Sequence, residues 1–215
     1  MDLFNTETIT AFITGVLGPL ALFIAGKYFN IKNPLKKKTP VAEPKPKCPV
    51  KESIDANQLI DDQLDHLMDE IGCDRVWLTQ FHNGGHFYPT GKSIQKFSTF
   101  YEHITPETPS VKHTYQNIPV SIFNRPFSVL YSEGEILIYN INDKDVEKLG
   151  LNGLSKQYGA KSSYVFGLFD LKERYLGNLI IDYCKKKHTL SESELTYTRQ
   201  KAAAIGSTIS SYLSK

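Results

Sequence analysis

Apolar positions follow three different spacings along the chain. TITAFITGVLGPLALFIAG, residues 8–26, runs for nineteen residues without a charge, and Tyr28 and Phe29 extend it. At 1.5 Å per residue such a helix nearly crosses a hydrocarbon core of roughly 30 Å, so the pattern predicts one transmembrane helix over 8–29. Gly18-Pro19 would break a water-exposed helix, but a membrane helix tolerates the pair with a kink. From Ser53 the spacing becomes three and four. Leu59, Ile60, Leu64, Leu67, Met68 and Ile71 recur with acidic residues between them, and Gly72 follows as a C-cap. This predicts an amphipathic helix whose stripe serves as core, as a helix–helix seam, or as both.

Alternation then takes over. DRVWLTQFH (74–82) reads as a strand, Asn83-Gly84-Gly85 as the turn after it, and KSIQKFSTFYEHI (92–104) as an antiparallel return. Residues 111–118 are ambiguous, 119–127 suit a short helix or an irregular segment, 134–141 suit a strand, and 142–159 suit short helices. SSYVFGLFD (162–170) and YLGNLIIDYC (175–184) are two apolar strands joined by a charged turn at 172–174. Ser191 with Glu194 forms a capping box, and Leu195, Thr198, Ala202, Ile205, Ile209 and Leu213 mark a stripe down a final helix. The two terminal helices are expected on one face of an antiparallel sheet, since each apolar stripe must be buried. The predicted organisation is a short N-terminus (1–7), the membrane helix (8–29), a basic proline-rich linker (30–52) and an α/β (α+β) domain (53–215).

Charge orients this layout. Residues 1–50 carry seven Lys against three acidic residues, a net of +4, whereas 51–215 carry a net of −2. Lys27, Lys32, Lys36, Lys37 and Lys38 flank the C-terminal end of the apolar run. By the positive-inside rule the N-terminus lies outside and the large domain in the cytoplasm, with those lysines at lipid headgroups and the bilayer as partner. A near-neutral, slightly acidic body argues against nucleic acid as a partner. Three cysteines, Cys48, Cys73 and Cys184, make no disulfide framework and fit a reducing compartment.

The initial helix followed by RVWLTQFHNGG, and the closing SSYVFGLFD and YLGNLIIDYC before a long helix, resemble the GAF domain over most of 53–213. Gly177, Leu179 and Asp182 loosely match the glycine–leucine–aspartate character of that family's last strand. The resemblance implies a central antiparallel sheet flanked by helices, here preceded by one transmembrane helix, as in bacterial or phage-encoded sensor proteins. It also implies a small-molecule pocket drawing on Trp77, Gln80, His82, Phe97, Tyr101, Phe127, Tyr164 and Phe166. The signature of cyclic-nucleotide-binding members is not recognisable, and the cysteine context of chromophore-binding relatives is absent, because Cys73 and Cys184 fall at element boundaries.

Local chemistry adds a few candidates. FHNGGHF (81–87) places His82, Asn83 and His86 on a glycine-rich loop, either at a pocket mouth or simply in solvent. Arg125 beside Pro126 is a candidate contact for an anionic ligand or an exposed turn residue. Two histidines without nearby Cys or acidic ligands leave a zinc sphere incomplete, so neither metal nor cofactor is expected. No G-x-S-x-G, H-E-x-x-H or P-loop context is present, so no catalytic residue is expected. The expected function is a membrane-anchored, non-catalytic sensor binding a small ligand or a protein partner. The alternatives are a tethered scaffold forming homodimers through the terminal helices at Leu64, Ile205 and Ile209, and, more distantly, a small hydrolase using His82.

Overall fold

The computed structural model describes residues 48–87 and 89–213. Helix α1 spans Pro49–Ile71, four residues ahead of the expected start at Ser53. Pro49 sits at N1, where its fixed φ suits a helix and its missing N–H is no loss. Gly72 ends the helix at φ 58°, donating its N–H to Met68 O. Strands β1 (Arg75–His86) and β2 (Ser93–Ile104) follow, then β3 (Ile118–Pro119), a 3-10 turn (Val120–Phe123) and α2 (Asn124–Glu133). β4 (Glu135–Ile138), α3 (Lys144–Leu149), α4 (Asn152–Gln157), β5 (Ser162–Phe169), β6 (Tyr175–Tyr183) and α5 (Glu192–Leu213) complete the order.

The Asn-Gly-Gly turn is a correction. Asn83–Gly85 lies inside β1, where Gly85 at φ 103° produces a register shift and the strand continues to His86. The reversal comes later, closed by Phe87 N–H to Lys92 O at 2.8 Å and Gly91 N–H to Phe87 O at 2.8 Å.

The six strands form one antiparallel sheet ordered β3-β2-β1-β6-β5-β4. Side chains alternate across it with period two, so each central strand has two distinct faces. Val76, Leu78, Tyr164, Phe166, Leu168, Leu179, Ile181 and Tyr183 share one face and pack against α1 and α5. Trp77, Thr79, Ser163, Val165, Asn178 and Ile180 share the other, beneath α2 and the segments around it. His103 on β2 reaches both Asp61 (3.1 Å) and Asp65 (2.5 Å), tying the sheet to α1.

The stripes of the terminal helices are spent within the chain. Ile60, Leu64, Leu67 and Ile71 of α1 join Leu195, Ala202, Ile205 and Ile209 of α5 in one buried cluster with the sheet. The expected homodimer through Leu64, Ile205 and Ile209 is therefore corrected: these side chains are the core, not a seam between copies.

The membrane-anchored architecture is corrected as well. Among the described residues no helix is long and apolar enough to cross a membrane. The two longest, α1 and α5, each bury one stripe and carry ionisable residues elsewhere, whereas a membrane span is apolar all round. Residues 8–29, with Lys27, Lys32, Lys36, Lys37 and Lys38, lie outside the described residues. The transmembrane helix, the bilayer partner, the headgroup contacts and the cytoplasmic single-pass topology are withdrawn. What stands is an α+β fold with a central antiparallel sheet flanked by helices.

At the start of α5 the Ser191–Glu194 capping box forms as its spacing predicts. Ser191 N–H donates to Glu194 Oε2 at 2.7 Å, and Glu194 N–H donates to Ser191 Oγ at 3.3 Å. Burial opposes the Glu194 charge, but hydrogen bonds from Ser191 and the nearby His188 outweigh it and lower its pKa below the usual 4.5. A lowered carboxylate pKa stabilises the fold above the ordinary value and loses that contribution as pH falls through the lowered one. Glu194→Gln should therefore be less stable than wild type by about 0.5–1.5 kcal/mol at neutral pH, with the gap closing in acid. Urea melts at pH 7 and pH 3.5 would check this, and a gap that widens in acid would contradict it.

Candidate ligand pocket

The sheet face opposite the terminal helices carries a cavity of about 70 Å³. Its floor is Trp77 and Thr79 of β1, Phe97 of β2, Ser163 and Val165 of β5, and Asn178 and Ile180 of β6. Its cover comes from Tyr115, from Phe123 of the 3-10 turn, from Pro126, Phe127 and Leu130 of α2, and from Leu151 and Ser155. Ile136 and Ile138 of β4 close one end.

The irregular segment after β2 is held over the floor by its polar groups. Val111 N–H donates to Glu102 Oε1 at 2.6 Å, Gln116 Nε2 to Thr99 O at 2.8 Å, and Asn117 N–H to Ser98 Oγ at 2.9 Å. These bonds bring Tyr115 within 4.9 Å of the Trp77 ring, centroid to centroid. Phe127 meets Phe97 edge-on at 5.3 Å and Phe81 at 5.3 Å, so aromatic contacts line the rim of the cavity.

Two buried polar systems tie the floor residues together. Asp182, 2% exposed, accepts from Arg75 Nε at 2.8 Å, Trp77 Nε1 at 2.9 Å and Ser163 Oγ at 2.7 Å. Arg75, 1% exposed, also donates from Nη1 to Pro109 O (2.7 Å) and Tyr158 O (3.2 Å). Burial works against the guanidinium charge, but the Asp182 carboxylate beside it prevails and raises the Arg75 pKa. The second system runs from the Tyr175 hydroxyl to Asn178 Oδ1, and from Asn178 Nδ2 to Thr79 Oγ1 at 3.1 Å. Gly177 belongs here because a Cβ at that position would meet Thr79 O at 1.9 Å across the β1–β6 ladder.

Of the residues expected at the pocket, Trp77, Phe97 and Phe127 line the cavity. Tyr164 and Phe166 belong to the core on the helix side, and Tyr101 packs against that same core with its hydroxyl on Asn57. Gln80 alternates with Thr79 and so falls on the face of the sheet toward α1 and α5. His82 holds Ser98 Oγ at 2.9 Å and its neighbour's carbonyl at 3.2 Å, outside the cavity. Ser98 is buried and already accepts from Asn117, so this pair is a strut between strand and loop. Asn83 and His86 are exposed on the protruding hairpin, and Arg125 is exposed with Nη1 on Lys148 O at 3.0 Å.

Sequence reasoning missed Thr79, Ser163 and Asn178. The signal was present as polar residues recurring on one parity of otherwise apolar strands.

Cys48 is an exposed free thiol, whereas Cys73 is buried and Cys184 half-buried. Burial, reinforced by the nearby Asp182 charge, raises the Cys73 thiol to about 12. Burial also raises the Cys184 thiol, to about 11, against the opposing pull of Arg75. Both thiols are protonated at neutral pH, and the thiolate is the reactive form. Among the described residues, no group of three or more His, Cys, Asp or Glu could hold a metal ion.

No family model and no curated protein matches this chain. Solved structures do resemble it. A far-red cyanobacteriochrome photoreceptor superposes with a TM-score of 0.59 at 13% identity, over 76% of this chain and 90% of that one. The PixJ GAF domain of Thermosynechococcus elongatus, in its blue-light absorbing form, gives 0.55 at 14% identity over 73% and 86%. The GAF domain/HD domain protein of Geobacter sulfurreducens gives 0.59 at 11% identity over 79% and 100%. At such identities the likeness shows the fold, which is that of GAF domains.

Proposed function

We propose that this domain is a non-catalytic sensory module that binds a small molecule in the cavity between the sheet and α2. The observation that carries this reading is a partly open, mainly apolar cavity with buried hydroxyl and amide groups set into its floor. Ligand sites typically combine an apolar lining with a few placed polar groups. The floor strands β1, β5 and β6 present their reverse faces to α1 and α5, so a ligand seated on Thr79, Ser163 or Asn178 bears on the strands that carry both terminal helices.

Among the structural neighbours, one is a phycoerythrobilin-bound GAF domain and another has bound biliverdin IXa. This cavity does not fit such a group. Drug-sized ligands occupy roughly 300–1,000 Å³, far above the 70 Å³ here, and no cysteine lines the cavity. The ligand is accordingly small.

Xenon and benzene test the reading on the full chain. Xenon should shift the methyl resonances of Leu130, Ile136 and Val165 in wild type, because apolar cavities of modest size accept it. Phe127→Ala should enlarge the cavity toward the roughly 150 Å³ that holds benzene, so saturating benzene should raise the melting temperature of the variant and leave wild type unchanged. If xenon leaves these methyls untouched and benzene fails to stabilise the variant, the cavity is only a packing defect.

A further inference from the structure

The donors and acceptors around the cavity restrict what it can hold. No charged side chain lines it. The nearest charges, Arg75 and Asp182, are bound to each other and to fixed groups, with Arg75 Nη1 turned to two backbone carbonyls. An anion would meet no available cation and would lie near the Asp182 carboxylate, while a cation would find no free acceptor of full charge. Both would also lose much of their hydration against a mainly apolar lining, which disfavours an unpaired charge.

The polar floor is more specific than its composition suggests. The Tyr175 hydroxyl occupies Asn178 Oδ1, which turns Asn178 Nδ2 toward Thr79. Thr79 Oγ1 therefore accepts, and its proton remains available. Thr79 is 1% exposed and makes no other side-chain hydrogen bond among the described residues. A buried donor without an acceptor is unfavourable, so this proton favours a ligand that supplies one. Ser163 differs, because its proton is already committed to Asp182.

Resting on the reading above, we propose that the ligand is a compact neutral carbonyl compound, a short ketone or aldehyde, whose oxygen accepts the Thr79 hydroxyl. By proportion to a cavity of roughly 150 Å³ that holds six-carbon benzene, the 70 Å³ here suits about three non-hydrogen atoms, the size range of acetaldehyde and acetone. Asn178 and Tyr175 are positioning residues, since they fix the direction of the Thr79 proton without meeting the ligand's oxygen. A molecule this small binds no tighter than roughly micromolar.

The test uses the full chain with acetone and its hydrocarbon isostere 2-methylpropene, titrated against the methyl resonances of Leu130, Ile136 and Val165. Thr79→Val should weaken acetone about tenfold and leave the alkene unchanged or tighter, while Thr79→Ser should keep the wild-type preference. Equal weakening of both probes, or none, overturns the assignment. A second measurement needs no variant: the infrared carbonyl stretch of acetone bound to wild type should fall below its value in a hydrocarbon solvent. An unshifted stretch overturns the proposal, even where Thr79→Val fails to fold. If neither probe perturbs the methyls while xenon does, this ligand class is wrong but the pocket survives. If xenon also fails, the pocket reading falls first.

Discussion

Asp182→Ala should destabilise the domain by about 3–5 kcal/mol, the range measured when one partner of a buried ion pair is removed. For a domain of this size the melting temperature should fall by roughly 10 °C or more. Three donors converge on the carboxylate, from Arg75, Trp77 and Ser163, and its removal leaves a guanidinium almost wholly shielded from water. The cost is that of an uncompensated buried charge, not the net worth of the pair. Two controls separate these quantities. Asp182→Asn keeps the shape but gives Arg75 no counter-charge, so it should fall close to the alanine variant. The double variant Arg75→Met/Asp182→Leu removes both charges and should be less damaged than the sum of the single changes, with an interaction energy of about 1–3 kcal/mol. Thermal and urea unfolding of wild type, the two Asp182 single variants, the double variant and its components Arg75→Met and Asp182→Leu would measure this. A single variant within about 1 kcal/mol of wild type would mean that Arg75 finds water or another anion.

The same pair shows what the sequence made legible. Asp182 stood out as part of the Gly177–Leu179–Asp182 pattern, but its partner Arg75 looked like an ordinary strand-opening residue. Only the β1–β6 register, which sets Arg75 opposite Asp182, joins them. The helices were clearer, because a stripe at three- and four-residue spacing has few alternatives and the Ser191–Glu194 box marks its own boundary. The strands 162–170 and 175–184 were clear for a similar reason: two apolar runs flank one charged turn, in which Asp170 Oδ1 accepts from Lys172 and Arg174 N–H at 2.8 Å each.

The pocket was only half legible, and parity explains why. The family resemblance implies Trp77, Phe97 and Phe127 for the pocket wall, and they lie at the cavity. It implies Tyr164, Phe166 and Tyr101 there as well, yet they pack on the other face of the sheet. The β1–β2 register shifts between Leu78 and Thr79, so parity counted along β2 fails at Tyr101 without the pairing. The cover was not legible at all. Tyr115, Phe123 and Leu151 come from irregular segments or short turns, where no period fixes a face and long-range hydrogen bonds decide the conformation.

The second large effect concerns the terminal helices, where a core and an interface between copies predict opposite results. Ile205→Asp should abolish cooperative unfolding at 25 °C. Ile205 is fully buried among the α1 stripe and the helix-facing strand residues, and the change removes a large apolar side chain while introducing a carboxylate with no partner. The loss of apolar packing alone is worth about 2–5 kcal/mol, and burial of the charge adds to it, which consumes most of a typical domain's 5–15 kcal/mol. Ile205→Val should cost only about 0.5–1.5 kcal/mol, since it removes a single methylene and leaves the stripe intact. Leu64→Ala, on the facing helix, should lie between them at about 2–5 kcal/mol. Circular dichroism melts combined with light scattering would distinguish the two pictures. A stripe consumed inside the chain gives graded loss of stability at unchanged mass for the folded variants, ending in an unfolded or aggregated aspartate variant. A stripe serving as an interface would instead give a well-folded Ile205→Asp protein of lower mass. That outcome would require α1 and α5 to separate from the sheet without unfolding it, and the shared burial of Leu64, Leu67, Ile205, Leu179 and Ile181 in one cluster argues against such separation.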